Sequence, residues 1–520
     1  MAFSSHLFMF YFLPLALVLY YVMPRQAKHA VLTVLSYIFY GWANPLFVVL
    51  MMTSTIIDYI CGLGMTGQFS RTAWKKPIPQ LEEIPRREYE KGPWHHWLLV
   101  PKIVSWIRKP DPYRTPGQKI ALVISIVSNL SLLGFFKYFN FFLANYNALA
   151  GGIESLLGVQ GLDIVTTLKI TLPLGISFYT FQSMSYSIDV YRGEAKAIRN
   201  FTDFSCYVSM FPQLVAGPII RFQEVDDQLR NRTYTVEKFA RGVAFIALGL
   251  AKKVLIANPC GKVADTVFDA GGQGLLDSWW GVMGYSFQIY FDFSAYSDMA
   301  IGLGLILGFV FAKNFDSPYH SASITEFWRR WHISLSTWLR DYLYIPLGGN
   351  RAGHRRTYVN LALVMLLGGL WHGSSWNFVI WGAIHGGMLA FERAQGKTSF
   401  YSRLPHPLKV VITYVIVLFT WVFFRAPDLS SSLAYCGSML GLNGLYGSRA
   451  GSALLGGLVY QPYYVGMMII AGIVTWGLPQ TWDFTRKLTP ARAAVVVSSL
   501  VLSLVVLTTQ SFNPFIYFIF

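Results

Sequence analysis

"WRRWHISLSTWLRDYLYIPLGGN", residues 328–350, sets Arg329, Arg330, His332, Arg340 and Asp341 inside sequence that is strongly apolar on both sides. What such a stretch is for depends on whether its surroundings are membrane. Hydrophobic residues make up 54% of the 520 and charged residues 13%, which is too apolar for a soluble chain of this length. In a bilayer, polar and ionisable side chains are costly, and they mark the places where a protein binds or reacts.

Working outward, apolar runs near the roughly 20 residues needed to cross a bilayer recur along the whole chain. The first, "FMFYFLPLALVLYYV" at 8–22, has neither a basic leader nor an Ala-x-Ala cleavage site, and reads as a retained transmembrane helix. Residues 30–60 hold two crossings, and further runs start at Ala121, Val243, Leu361, Val410, Val465 and Ala493. These features predict an all-α integral membrane protein, a single multispanning domain over 1–520 with about ten or more spans.

The formal net charge of +16 does not require nucleic acid as a partner, because a membrane protein carries excess Lys and Arg in its cytoplasmic loops. The main polar interruption, residues 65–119, is basic and rich in proline, which places it as a cytoplasmic insert without one long helix. Within it, "WHHWLLVPKIVSWI" at 94–107 has the character of a short amphipathic piece on the membrane surface. Cys61, Cys206, Cys260 and Cys436 are widely spaced and form no metal or redox motif. No phosphate-binding loop is present, no internal repeat of the kind transporters carry is visible, and no metal site is expected. No span shows a strong Gly-x-x-x-Gly face for association with a second copy.

The polar groups that lie at membrane depth concentrate between about residues 172 and 385. "LPLGISFYTFQSMSYSIDVYRG" carries Gln182, Asp189 and Arg192, and "FPQLVAGPIIRF" is broken by Pro212, Gly217 and Pro218. Such backbone is tolerated at depth only against protein or a wet cavity. Asp292 and Asp298 are six apart and so lie on roughly opposite faces of a helix, which suggests local pairing more than a proton relay. In the opening stretch, Glu326 with Arg330 and His332 with Ser336 are each four apart, so each pair is expected to share a helical face. The plain reading of Arg329, Arg330 and Arg340 is as anchors in an aromatic belt. His332 and His372 are stronger candidates for chemistry, since neutral imidazole takes a proton near neutral pH. His385, thirteen positions after His372 and expected on the same helix, reads as packing.

The motifs "TEFWRRWHISLSTWLRDYLYIPLGGNR", "LLGGLWHG", "YFDFSAYSDMAIGLG", "LVAGPIIRF" and "LPLGISFYTFQSMSYSIDVYRG" resemble, in order and wording, the bacterial alginate O-acetyltransferase branch of the membrane-bound O-acyltransferase (MBOAT) family. The likeness runs from "FSSHLFMFYFLPL" to "NPFIYFIF" and omits mainly the insert at 65–119, which is longer than that branch usually has. It implies a multispanning MBOAT fold, with re-entrant segments around a central tunnel, in the bacterial inner membrane. It also implies transfer of acetyl groups from a cytoplasmic donor to a hydroxyl of an exported, alginate- or cellulose-like polysaccharide, with membrane lipids around the chain and periplasmic acetyltransferase or relay proteins as partners. The near-universal catalytic histidine of the family maps onto His372, and the residue of the second signature segment onto His332.

An imidazole in hydrogen-bond range of the attacking hydroxyl contributes roughly 10²–10⁴-fold. His372 is accordingly expected as general base, and His332 as the residue that orients the acyl donor or stabilises the oxyanion, with Ser334, Ser336 or Asn377 nearby. Arg329, Arg330 and Arg340 are candidates for the phosphates of a coenzyme A donor, although positive-inside topology explains the same charges. No tightly bound cofactor is expected. The donor, acetyl-CoA or an acyl-carrier thioester, is a substrate. Two alternatives are a D-alanyl-transferring relative acting on teichoic acids and a proton-coupled transporter or flippase of an exopolysaccharide export system. A structural scaffold, the third, predicts that both histidines tolerate replacement.

Overall fold

The computed structural model describes residues 2–66, 114–158, 161–162, 169–271, 273–351, 353–396, 403–447, 455–510 and 512–516. The insert at 65–119 lies outside the described residues except at its two ends, as does the amphipathic piece expected at 94–107. Among the described residues every regular element is a helix. The principal ones are α1 (Leu13–Val22), α2 (Lys28–Gly41), α3 (Pro45–Met65), α4 (Pro116–Leu157), α5 (Ile176–Arg192), α6 (Phe201–Ser209), α7 (Val236–Ala251), α8 (Asn258–Ala270) and α9 (Leu275–Ile306). They continue with α10 (Ile324–Arg330), α11 (Ile333–Leu339), α12 (His354–His372), α13 (Trp376–Gln395), α14 (His406–Arg425), α15 (Leu429–Met439), α16 (Pro462–Gly477) and α17 (Pro490–Thr509).

Four of these, α3, α4, α14 and α17, are long and apolar enough to cross a membrane by length and composition. The shorter stretches Leu7–Val22 and Pro462–Gly477 are apolar as well. Val497, Val501, Leu502 and Val505 of α17 are exposed, as a lipid-facing surface would be. The interior has the opposite character. Residues 176–191 of α5 are all buried, and they include Ser177, Thr180, Gln182, Ser183, Ser185, Ser187 and Asp189. An apolar rim around a polar centre places the informative residues inside the molecule.

The apolar run at Ala121 belongs to a longer element than a single crossing needs. Helix α4 has 42 residues, about 63 Å at the standard rise and twice the bilayer's hydrocarbon core. A capping box starts it, with Thr115 accepting from the Gln118 amide and Gln118 reaching back to the Thr115 amide. It ends at Gly158, which takes the left-handed conformation at φ 64° that favours glycine.

Helices α12 and α13 form a hairpin whose backbones approach through glycine. A Cβ on Gly369 would lie 2.2 Å from the Phe378 carbonyl oxygen, and one on Gly382 would lie 2.4 Å from that of Met365. Gly382 and Gly386, four apart on α13, therefore form a small-residue face that is used within the chain, against α12. His372 closes α12 and His385 sits on α13, so the two histidines occupy different helices and the expectation of one shared helix is corrected. The physical reason is Gly373. A Cβ there would lie 2.0 Å from the Phe378 ring, so only glycine fits the sharp turn after His372.

Asp292 and Asp298 on α9 do pair locally. Lys253 lies 2.9 Å from Asp292 and Lys252 lies 2.7 Å from Asp298. The Asp292 pair also draws in the chain's last described residues, because the Ile516 amide donates to Asp292 Oδ2 at 2.9 Å and Lys253 donates to the Pro514 carbonyl.

The hairpin packing yields a test. Gly369→Ala forces a backbone shift and is expected to cost on the order of 1–3 kcal/mol, read as a lowered melting temperature of the detergent-solubilised protein. Gly387→Ala, which meets nothing within 4 Å, is expected to leave it unchanged or slightly raised.

Candidate active site

The 328–350 stretch is two short helices with a break between them. Helix α10 ends where Trp331 turns extended, and His332 then takes φ 44° and ψ 55° before α11 begins. Among the described residues, Ser317 and His332 alone combine positive φ with a side chain. Such a conformation costs on the order of 1–3 kcal/mol and persists only where neighbours enforce it. Here the strand-like approach of residues 314–316 does so. The Ile333 amide donates to the Asn314 carbonyl at 2.9 Å, and the Asp316 amide to the Arg330 carbonyl at 2.9 Å.

The break overturns one expected pair and keeps the other. Glu326 and Arg330 meet at 2.8 Å on α10. His332 and Ser336 do not share a face, because His332 is not helical and the Ser336 hydroxyl faces the Trp331 carbonyl at 3.4 Å. The partners of His332 are Asn314 and Ser334.

Those partners determine which ring nitrogen carries the proton. Asn314 Oδ1 accepts from the Ser334 amide at 3.2 Å, which fixes it as the oxygen of the side-chain amide. The Ser334 hydroxyl is 2.9 Å from that oxygen and must donate to it, while it accepts from the Ile219 amide at 3.0 Å. His332 Nδ1 faces the same Asn314 oxygen at 3.3 Å and the Ser334 oxygen at 3.4 Å. With the single hydroxyl proton already committed, Nδ1 can only be the donor. Nε2 therefore carries a free lone pair, and it is buried without a protein partner. In this tautomer His332 offers an acceptor at Nε2.

His372 stands opposite, with its ring centroid 6.4 Å from that of His332. Trp371, Trp381 and Phe424 pack edge-on around it at 5.0, 5.2 and 5.2 Å. It lines a cavity of about 230 Å³ whose wall also includes Lys137, Pro173, Gly175, Phe178 and Trp371. On its other side lies a small aromatic pocket formed with Trp331, Trp381, Trp421, Phe424 and Ile516. Lys137 of α4 reaches across to the carbonyls of Trp371 and His372, the latter at 3.2 Å.

The remaining candidates fall elsewhere. Arg329 is exposed, Arg330 is paired with Glu326, and exposed Arg340 meets Asp341 at 2.7 Å. None of the three lines the cavity at His372. Asn377 donates to the Ala426 carbonyl at 2.8 Å, tying α13 to the end of α14. His385 accepts from the Trp328 indole at 3.2 Å and stacks among aromatics, consistent with packing. Asn314 and Lys137 are the residues that sequence reasoning missed. Lys137, a lone cation in "LLGFFKYFNFFL", carried a signal in its apolar setting, whereas Asn314 carried none.

The sequence profile of the membrane-bound O-acyltransferase family matches residues 194–434. The chain is 40% identical to a protein described as a probable alginate O-acetylase AlgI in Pseudomonas putida, over 100% of both chains. It is 42% identical to one of the same description in Pseudomonas aeruginosa, over 95% of this chain and 85% of the relative. It is 34% identical to a peptidoglycan O-acetyltransferase of Helicobacter pylori, over 85% of this chain and 80% of the relative.

If Asn314 sets the tautomer of His332, Asn314→Leu is expected to lower the transfer rate by about 10²-fold, the scale of one misplaced acid–base group, at normal membrane levels. A rate within a few-fold of wild type, measured as ester-linked acetate released per unit of protein, would show that the tautomer does not matter.

Proposed function

The chain belongs to the membrane-bound O-acyltransferase family, and from that premise we propose that His372 and His332 together carry out the acyl transfer. The protein is a membrane acyltransferase that O-acetylates an exported polysaccharide. The observation that carries the assignment of residues is the position of His372, at the wall of the large cavity and 6.4 Å from a second imidazole with a free acceptor nitrogen.

In the reaction, the acceptor hydroxyl oxygen bonds to the carbonyl carbon of an acyl thioester while His372 takes its proton. His332, an acceptor at Nε2, orients the acceptor molecule by accepting from a second, neighbouring hydroxyl. The carbonyl electron pair moves to oxygen, then returns as the carbon–sulfur bond breaks. The departing thiolate takes the proton from the His372 imidazolium, which leaves an ester, a free thiol and neutral histidine. The thioester is acetyl-CoA or an acylated carrier protein, presented from the cytoplasm. The acetyl group leaves on the periplasmic side, directly to the polysaccharide or through a periplasmic relay protein. The chain forms one multispanning unit over 1–520 in the bacterial inner membrane, with ten or more crossings around a tunnel and the 65–119 insert in the cytoplasm. Ser334 acts through Asn314 and His332, and Arg330 and Arg340 are each paired with a carboxylate, Glu326 and Asp341.

His372→Ala tests this reading in a strain that secretes an acetylated polymer. Loss of ester-linked acetate, with the polymer still exported and the protein at normal level, is the expected result. Unchanged acetate would remove His372 from the mechanism, and loss of the polymer itself would favour an export role.

A further inference from the structure

We propose that Lys137 supplies the positive charge that stabilises the oxyanion of the transfer reaction, while its other protons hold His372 in place. The proposal rests on the acyl-transfer reading and assigns to α4 a task that no motif of the sequence suggested.

The geometry is that of a side chain with two duties. Lys137 is 7% exposed and sits on the wall of the large cavity beside Trp371 and His372. Its ammonium donates to the carbonyls of Trp371 and His372, the last two residues of α12. Carbonyls at a helix end lack intrahelical partners and sit at the negative pole of the helix dipole, so a cation there is doubly favoured. An ammonium has three protons, and two of them account for these bonds. The third remains for the cavity that Lys137 lines.

Buried Lys28 donates to the Tyr20 carbonyl and pairs with no carboxylate among the described residues, but it is not on the wall of the cavity at His372, where Lys137 is. Lys252 and Lys253, also in the interior, are paired with Asp298 and Asp292. Among the described residues no carboxylate pairs with Lys137. In its protonated form Lys137 is a buried cation without a counter-charge, which is costly, and the cost is recovered when a negative charge develops beside it. The transfer reaction creates such a charge on the former carbonyl oxygen of the acyl group. As the hydroxyl oxygen bonds to carbon and its proton passes to His372, the displaced electron pair lands on that oxygen, next to the ammonium. No proton leaves Lys137. When the pair returns and expels the thiolate, the ammonium is again uncompensated, so it favours the intermediate over substrate and product. His332 cannot fill this role, because its only ring proton points at Asn314 and Ser334.

The experiment compares Lys137→Met, Lys137→Gln and Lys137→Arg with His372→Ala in the full-length protein in its own membrane. The readouts are the initial rate at which ester-linked acetate appears on the exported polymer, the membrane level of each variant, and its melting temperature in detergent. Met and Gln are expected to slow transfer by about 10²-fold or more, the loss typical of removing one oxyanion donor. Arg, which keeps the charge, is expected to retain at least about a tenth of the wild-type rate, on the same scale. Gln can still donate to the two carbonyls, so it separates the duties. If Gln supports transfer as well as Arg does, Lys137 only caps α12 and the proposal falls. A Met variant within a few-fold of wild type would overturn it as well. Should Met fail to accumulate, the ratio of Arg to Gln at matched protein level decides. If His372→Ala is inactive while Met is normal, Lys137 alone is misassigned. If His372→Ala transfers normally, the underlying reading fails instead.

Discussion

The side-chain oxygen of Asn314 holds the centre of this molecule in its working shape. It accepts from the Ser334 amide and the Ser334 hydroxyl and faces Nδ1 of His332, at the point where the chain breaks between α10 and α11. Backbone that leaves a helix inside an apolar protein exposes donors that only protein can satisfy. Asn314 and the extended residues around it meet that demand, and in doing so they hold His332 in a conformation it would not otherwise adopt. Ser334 extends the same network to the Ile219 amide, so the second broken segment, at 211–222, is anchored to the first.

The surrounding helices serve this centre in different ways. The α12/α13 hairpin is drawn together through Gly369 and Gly382, which carries His372 to the end of its helix and leaves Gly373 to make the turn. Helix α4, far longer than a single crossing, brings Lys137 to the same end from outside the hairpin. The Lys253–Asp292 pair fixes residues 514–516, so that Ile516 closes the aromatic pocket behind His372. Buried ion pairs of this kind add little net stability, but breaking one strands a charge and typically costs about 3–5 kcal/mol. Their worth here is in fixing where the tail goes.

Two imidazoles a ring's width apart are chemically distinguishable because their surroundings differ. Polar protein groups specify the protonation of His332. His372 is hemmed by aromatic edges and opens to a cavity, so its nitrogens are available to a substrate. An imidazole on a cavity wall, a second imidazole with a free acceptor nitrogen and a lysine nearby are groups that acyl transfer to a hydroxyl can use.

Composition and hydropathy alone made the chain a helical membrane protein, because the cost of placing so many apolar groups in water leaves no other solution. Ordered motifs carried the family likeness and led to His332 and His372, since the tryptophans and glycines that define their setting are adjacent in the chain. Local spacing also located the Glu326–Arg330 pair, which depends only on helical geometry. It failed one turn later, at His332, where hydrogen bonds to Asn314, eighteen positions away, outweigh helical propensity. The same limit hid Lys137, whose partners lie more than two hundred residues downstream. Spacing along a chain specifies contacts within one element. Which side chains meet across elements was decided only when the tertiary packing brought α4, α12 and the broken α10/α11 segment to one place.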